Sequence, residues 1–183
     1  MTKRDTTRIA LMAAALELFE ERGYDATTAA AIADRAGVTE MTFFRHFPSK
    51  DAVLIADPYD PLIAEAIRRQ PASLPALAAA IGGVAAAWTS APPPLSGEVR
   101  ERLRIVSGTP SLRGALARNS AQTEAAIAQA LVDRGTTPAD ARIAASATLG
   151  ALNAALLDWA DGDEPDLGSA IDSALRVLAG GAG

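Results

Sequence analysis

The chain of 183 residues has no cysteine, a single histidine and only 4% aromatic residues. The first absence excludes disulfides, thiolate metal sites and a cysteine nucleophile. With His46 as the one imidazole, the usual catalytic and metal-binding constellations shrink to carboxylates and hydroxyls. The acidic residues that lie close in sequence, Asp57 with Asp60 and Asp161 with Asp163, Glu164 and Asp166, stand beside proline or glycine, where capping and solvation are their ordinary use. The expectation is a protein that is not an enzyme and carries no cofactor or metal.

Scarce aromatics with 49% hydrophobic residues, largely Ala and Leu, suit packed helices better than a sheet, so the fold class expected is all-α. No apolar run has the length and composition of a membrane span, and MTKRDTTR leads into an amphipathic helix without a signal-peptide core. A cytoplasmic protein is expected.

An excess of positive charge is also missing, since the net charge is −5. Residues 1–50 balance seven cations (Lys3, Arg4, Arg8, Arg22, Arg35, Arg45, Lys50) against seven anions, while the remainder holds ten Arg and fifteen Asp or Glu, which accounts for the whole deficit. The net acidity lies entirely outside the first fifty residues.

What is present is periodicity and punctuation. Ile9, Met12, Leu16 and Phe19 form a helical stripe in residues 6–22 that Gly23 ends. Lys3, Arg4 and Arg8 oppose the dipole of this helix, and either phosphate contact or plain solvation accounts for them. From Thr27 to Lys50 the chain reads helix, glycine turn, helix: Ala30, Ile32, Ala33 and Ala36 are apolar at helical spacing, Gly37 turns, and Thr39 caps a second segment. In that segment Thr42, Arg45, His46 and Lys50 accompany Phe43, Phe44 and Phe47, so one face is able to pack and the other to meet phosphate.

Further on, Ser49 is placed to cap a fourth helix that Pro58 and Pro61 interrupt, with Asp57 or Asp60 capping a new one to Gln70. Residues 73–90 read as a buried apolar helix, 91–97 as a linker, and 98–106 as a helix stopped at Gly108. Thr109 with Pro110 opens a helix to about Arg134 that Gly135 ends, and Thr137, Pro138 and Asp140 open one to Trp159. A last helix spans 167–178, and a disordered GGAG end follows. About nine helices result.

Phe19, Gly23, Tyr24, Thr27, Thr28, Ile32, Ala33, Ala36, Gly37, Val38, Thr39, Thr42, Phe43, Phe44, Arg45, Phe47, Ser49, Lys50 and Leu54 together resemble the N-terminal signature of TetR-type transcriptional regulators. Residues from Arg102 to Leu131 resemble, more loosely, the C-terminal region of regulators from mycofactocin gene clusters. The resemblance implies a helix-turn-helix DNA-binding domain over 1–50 and a helical effector-binding and dimerisation domain over 51–183. It implies a regulator, a repressor released by a small, mostly apolar effector, acting on a palindromic double-stranded operator as a homodimer joined through the last two helices. Those helices are equally able to serve the monomer core. A helical protein-interaction or ligand-carrier module without DNA binding is the contrasting reading.

By motif, Thr28, Thr39, Phe44, His46 and Lys50 occupy the family's phosphate-contact positions, and Glu40, Met41, Thr42 and Arg45 are the candidates for base edges. Arg45 is suited to fork onto guanine, or to pair with phosphate or Glu40. Phe44 stands where the family often has tyrosine, and Met41 where a small residue is common. Phe43 and Phe47 are expected in the core. The Pro58 and Pro61 interruption departs from the family's longer connecting fourth helix. In the second domain Trp88, Leu103, Val106, Asn119, Gln122, Thr123, Asn153 and Trp159 are the residues available to line an effector pocket, with core packing, or for Asn153 a dimer register, as the other use.

Overall fold

A computed structural model describes residues 3–55, 59–90 and 96–180. Asp57, Pro58, most of the 91–97 linker, the Lys3 side chain and the last three residues lie outside them. Among the described residues there are ten α-helices and no strands, one helix more than the sequence suggested. They are α1 (Lys3–Arg22), α2 (Ala29–Arg35), α3 (Glu40–His46), α4 (Ala52–Ile55), α5 (Asp60–Arg68), α6 (Ala76–Ser90), α7 (Ser96–Gly108), α8 (Arg113–Asp133), α9 (Pro138–Asp161) and α10 (Leu167–Leu178). A single 3-10 turn, Pro110–Leu112, precedes α8. The helix expected to run unbroken from Pro110 therefore starts three residues later, because the chain first makes a tighter turn there.

The chain forms two compact units, Met1–Ala56 with Glu101–Leu116, and Asp57–Arg100 with Ala117–Gly183. In the first, Leu11, Leu18, Ile32, Phe43 and Phe47 are at most 1% exposed and pack with Phe19, Val53 and Leu54. Each such side chain contributes about 1.5–3 kcal/mol by leaving water. Of the stripe expected on α1, Leu16 and Phe19 are buried and Met12 packs against the core, while Ile9 is 54% exposed; the inward face also takes in Leu11, Ala14, Ala15 and Leu18. Val106 and Leu112 complete this core from α7 and the 3-10 turn. Arg102 Nε donates to the Leu54 carbonyl at 3.1 Å and Ser111 Oγ to Asp25 at 2.7 Å, so the returning segment is pinned at the end of α4 and at the α1–α2 turn.

In the second unit α5 packs on α6, and α9 on α6 and α10. The α5–α6 approach depends on Gly83, where an added Cβ would lie 2.3 Å from Ile67 Cγ1 and 2.9 Å from its backbone. Ile67, Ala79, Ala80, Ile127, Ala130, Leu131, Ala141 and Ala145 make a core of small and branched residues. Thr137 caps α9 by accepting from Asp140 N–H, and Asp166 caps α10 by accepting from Gly168 and Ser169, as the threonine-proline signature and the acidic loop suggested. Of the two aspartates expected to cap α5, Asp57 lies outside the described residues and Asp60 stands in the first turn of the helix. Its N-cap is Tyr59, without a side-chain bond, and Asp60 instead accepts from Thr123 Oγ1 at 2.8 Å.

Candidate nucleic-acid interface

The helix-turn-helix is held together by its own threonines and phenylalanines. Thr28 Oγ1 accepts from Ala31 N–H at 3.1 Å and Thr39 Oγ1 from Thr42 N–H at 3.2 Å, so each helix begins on a hydroxyl cap. Gly37 adopts φ +69°, the left-handed conformation that lets the chain reverse between α2 and α3. Phe43 and Phe47 point inward with ring centroids 5.7 Å apart.

That packing leaves the opposite face of α3 outward. Glu40, Phe44 and Arg45 are exposed, Met41 is 79% exposed, and Thr42 is half-buried beside the Thr39 hydroxyl at 3.0 Å. Arg45 makes no ion pair among the described residues, Glu40 included, which leaves its fork available. Phe44 meets Phe43 edge-on at 5.3 Å yet remains 49% exposed.

The first turns of α1 join this face. Arg4, Thr7, Val38, Thr42, Arg45 and His46 line one open cleft of about 730 Å³. Burial, followed by the Arg4, Arg45 and Arg8 cations, holds His46 below the ordinary histidine pKa. The cations gathered around this side chain make the cleft a positively charged patch. Thr7 and Val38 were not singled out in the sequence, because nothing local marks a residue of α1 as a neighbour of α3.

Lys50, expected toward phosphate, and Arg8, for which phosphate contact or solvation stood open, are both engaged with the protein. The Arg8 guanidinium lies 4.4 Å from the Phe47 ring centroid, and Nη1 donates to the His46 carbonyl at 3.2 Å, at the C-terminal end of α3. Lys50 Nζ donates to the carbonyls of Tyr24 and Thr27 at 2.7 and 2.8 Å and sits 3.9 Å from the Tyr24 ring centroid.

The eight effector candidates do not converge. Leu103 and Val106 belong to the first unit, and Val106 is part of its core. In the second unit Trp88 packs against Tyr59 with the rings tilted and their centroids 5.7 Å apart, and buried Thr123 bonds Asp60 and the Asn119 carbonyl. Gln122 is exposed and Asn153 half-buried. Trp159 is 4% exposed, and its Nε1–H is a buried donor with no acceptor among the described residues. Two open grooves of about 420 and 600 Å³ flank α9, and none of the eight residues lines either. The sequence marks polar residues on apolar helices, but which helix face turns inward is set by packing.

Residues 11–56 match the family described as bacterial regulatory proteins, tetR family, and residues 74–183 match the MftR C-terminal domain. The chain belongs to the TetR family of bacterial regulatory proteins. The HTH-type transcriptional regulator TcmR of Streptomyces glaucescens is 32% identical over 143 residues, 70% of this chain and 60% of that protein. The HTH-type transcriptional activator FasR of Mycolicibacterium smegmatis is 45% identical over 53 residues, 29% of this chain and 24% of that one. The chain thus spans less than two thirds of the length of either relative. Among solved structures, NalD of Pseudomonas aeruginosa, described as the secondary repressor of the MexAB-OprM multidrug efflux pump, superposes with a TM-score of 0.51 at 27% identity, covering 97% of this chain and 95% of that one.

Proposed function

We propose that the chain is a sequence-specific DNA-binding transcriptional regulator that enters the major groove with α3. The observation that carries this reading is the outward face of α3, where Glu40, Met41, Thr42 and Arg45 stand at or near the surface around the Arg4–Arg45–His46 cleft. Base edges are read by the first group, while Thr28, Thr39, Phe44 and His46 approach the flanking phosphates. Membership of the TetR family supports the assignment.

The functional form is a homodimer on a palindromic operator. α9 supports this with Ile143, 69% exposed, followed at heptad spacing by exposed Ala147, Gly150, Ala154 and Leu157. An added Cβ at Gly150 meets nothing within 4 Å, so the small residues of this stripe are not needed for packing within one chain. The outward positions of α10 are more polar, with Val177 as the apolar exception. α9 therefore supplies most of the pairing surface.

The regulator is a repressor released by a small, mostly apolar effector held in the 51–183 domain. The unmatched Trp159 N–H supports a ligand that carries an acceptor. Binding shifts the dimer to a head spacing that no longer fits two half-sites one helical turn apart. Selection of bound sequences from a random duplex pool tests the whole reading. An enriched palindrome is expected, and no enrichment at low salt would leave a protein-interaction or carrier module in its place.

A further inference from the structure

We propose that Lys50 is a positioning residue that closes the open end of the helix-turn-helix, rather than a phosphate ligand. The inference rests on the DNA-binding reading above. The helix-turn-helix is joined at Gly37, but its outer ends, the start of α2 and the segment after α3, have no covalent reason to stay together. Lys50 lies four residues past His46, and its two acceptors, Tyr24 and Thr27, lie in the turn immediately before the Thr28 cap of α2. One ammonium therefore ties the exit of α3 to the start of α2.

The turn it holds is otherwise fixed by few bonds. Thr27 Oγ1 is within reach of the Leu18 and Gly23 carbonyls at 3.2 and 2.9 Å, and Ser111 donates to Asp25 at 2.7 Å. Neither reaches the segment after α3. Two of the three ammonium donors are used, and the Tyr24 ring covers one side of the group at 3.9 Å. Asp25 and Asp51 stand near enough to oppose the lowering of the Lys50 pKa by burial, so part of its charge is already answered. A phosphate approaching this ammonium finds a single donor left, beside the Tyr24 ring, and competes for it with two carboxylates. Arg45 and His46, by contrast, face an open cleft.

The two roles separate by salt. A lost phosphate contact lowers the slope of log affinity against log salt by about 0.9, whereas a lost positioning contact lowers affinity with the slope intact. The probe is a duplex selected from a random pool by the wild-type chain, titrated with wild type, Lys50→Met and Arg45→Ala across salt. Lys50→Met is expected to weaken binding roughly tenfold, as the population of the competent arrangement falls, with an unchanged slope and faster amide exchange over residues 28–32. A slope lower by about 0.9, with amide exchange unchanged, would overturn the proposal.

A second measurement does not require the variant to fold. The chain has two lysines, Lys3 and Lys50, so selective nitrogen-15 labelling resolves the Lys50 ammonium in the wild type. Couplings across hydrogen bonds to the Tyr24 and Thr27 carbonyl carbons, retained on adding duplex, are expected. Their loss with the appearance of coupling to phosphorus would refute the clamp. A wild-type chain that selects no duplex would remove the DNA reading alone, and the same couplings would still decide whether Lys50 closes the motif.

Discussion

The Arg100 guanidinium lies 4.4 Å from the centroid of the Trp159 ring and donates to the Gly162 carbonyl at 2.7 Å and to the Glu164 carbonyl. The start of α7 is thereby fastened to the end of α9 and the loop before α10. The ring is packed and stacked, yet its one polar atom has no acceptor among the described residues.

Trp159→Phe is therefore expected to cost under about 1 kcal/mol, because it keeps an aromatic face for Arg100 and removes an unmatched buried donor. Trp159→Ala should cost about 3–5 kcal/mol by opening a cavity. Urea unfolding distinguishes them, and equal losses would mean that Nε1–H has an acceptor. If the effector reading holds, Trp159→Phe also loses most of its response to the effector.

Arg45→Ala should blur the selected operator at one base and cost about 1–3 kcal/mol of discrimination there if the guanidinium forks onto guanine. Uniform weakening at every position would assign it to phosphate instead.

His46 gives a pH dependence with a defined sign. In the free protein its pKa is held below the ordinary value of about 6.5, so the unfolded chain takes up the proton first. Stability from this group is full above that value and declines as pH falls through it; the effect is small because the ring is only partly covered. A phosphate opposite the ring favours the charged form, so DNA affinity should rise as pH falls through the same range. His46→Gln should flatten that profile in fluorescence-anisotropy titrations.

Gly83→Ala should destabilise the second unit by about 1–3 kcal/mol, since the new Cβ meets backbone as well as the Ile67 side chain. Gly150→Ala, where nothing lies within 4 Å, should leave the folded monomer intact. Thermal unfolding of the two variants makes the comparison.

Ala154→Arg places a charge in the exposed stripe of α9. Sedimentation equilibrium should show dimer for the wild type and monomer for the variant, with helicity unchanged by circular dichroism. A variant that remains dimeric would move the interface off α9.

Much of the candidate face was legible because its signals are local. Thr28 and Thr39 cap through bonds three residues long, Gly37 takes a φ that favours glycine, and Phe43 and Phe47 fall one helical turn apart. The start of α9 followed for the same reason, from Thr137. Lys50 was not legible in this way. A lysine after a helix carries the same local signal whether it meets phosphate or two carbonyls 23 and 26 residues away. Ile9 failed similarly, since spacing defines a stripe, of which Leu16 and Phe19 are buried, but not how far along the helix the core covers it.

By itself, then, the amino-acid order determined the helical class, the turn, the caps and the outward set on α3, because each depends on backbone geometry and side-chain chemistry within a few residues. Only the tertiary structure decided that Val106 and Leu112 return to fill the first core, that Arg8 and Lys50 act on carbonyls, and that Arg100 covers Trp159. Those pairings join residues far apart in the chain. Their free energy comes from burial and bonds that exist only once the helices have packed, and no periodicity in the sequence records the partner.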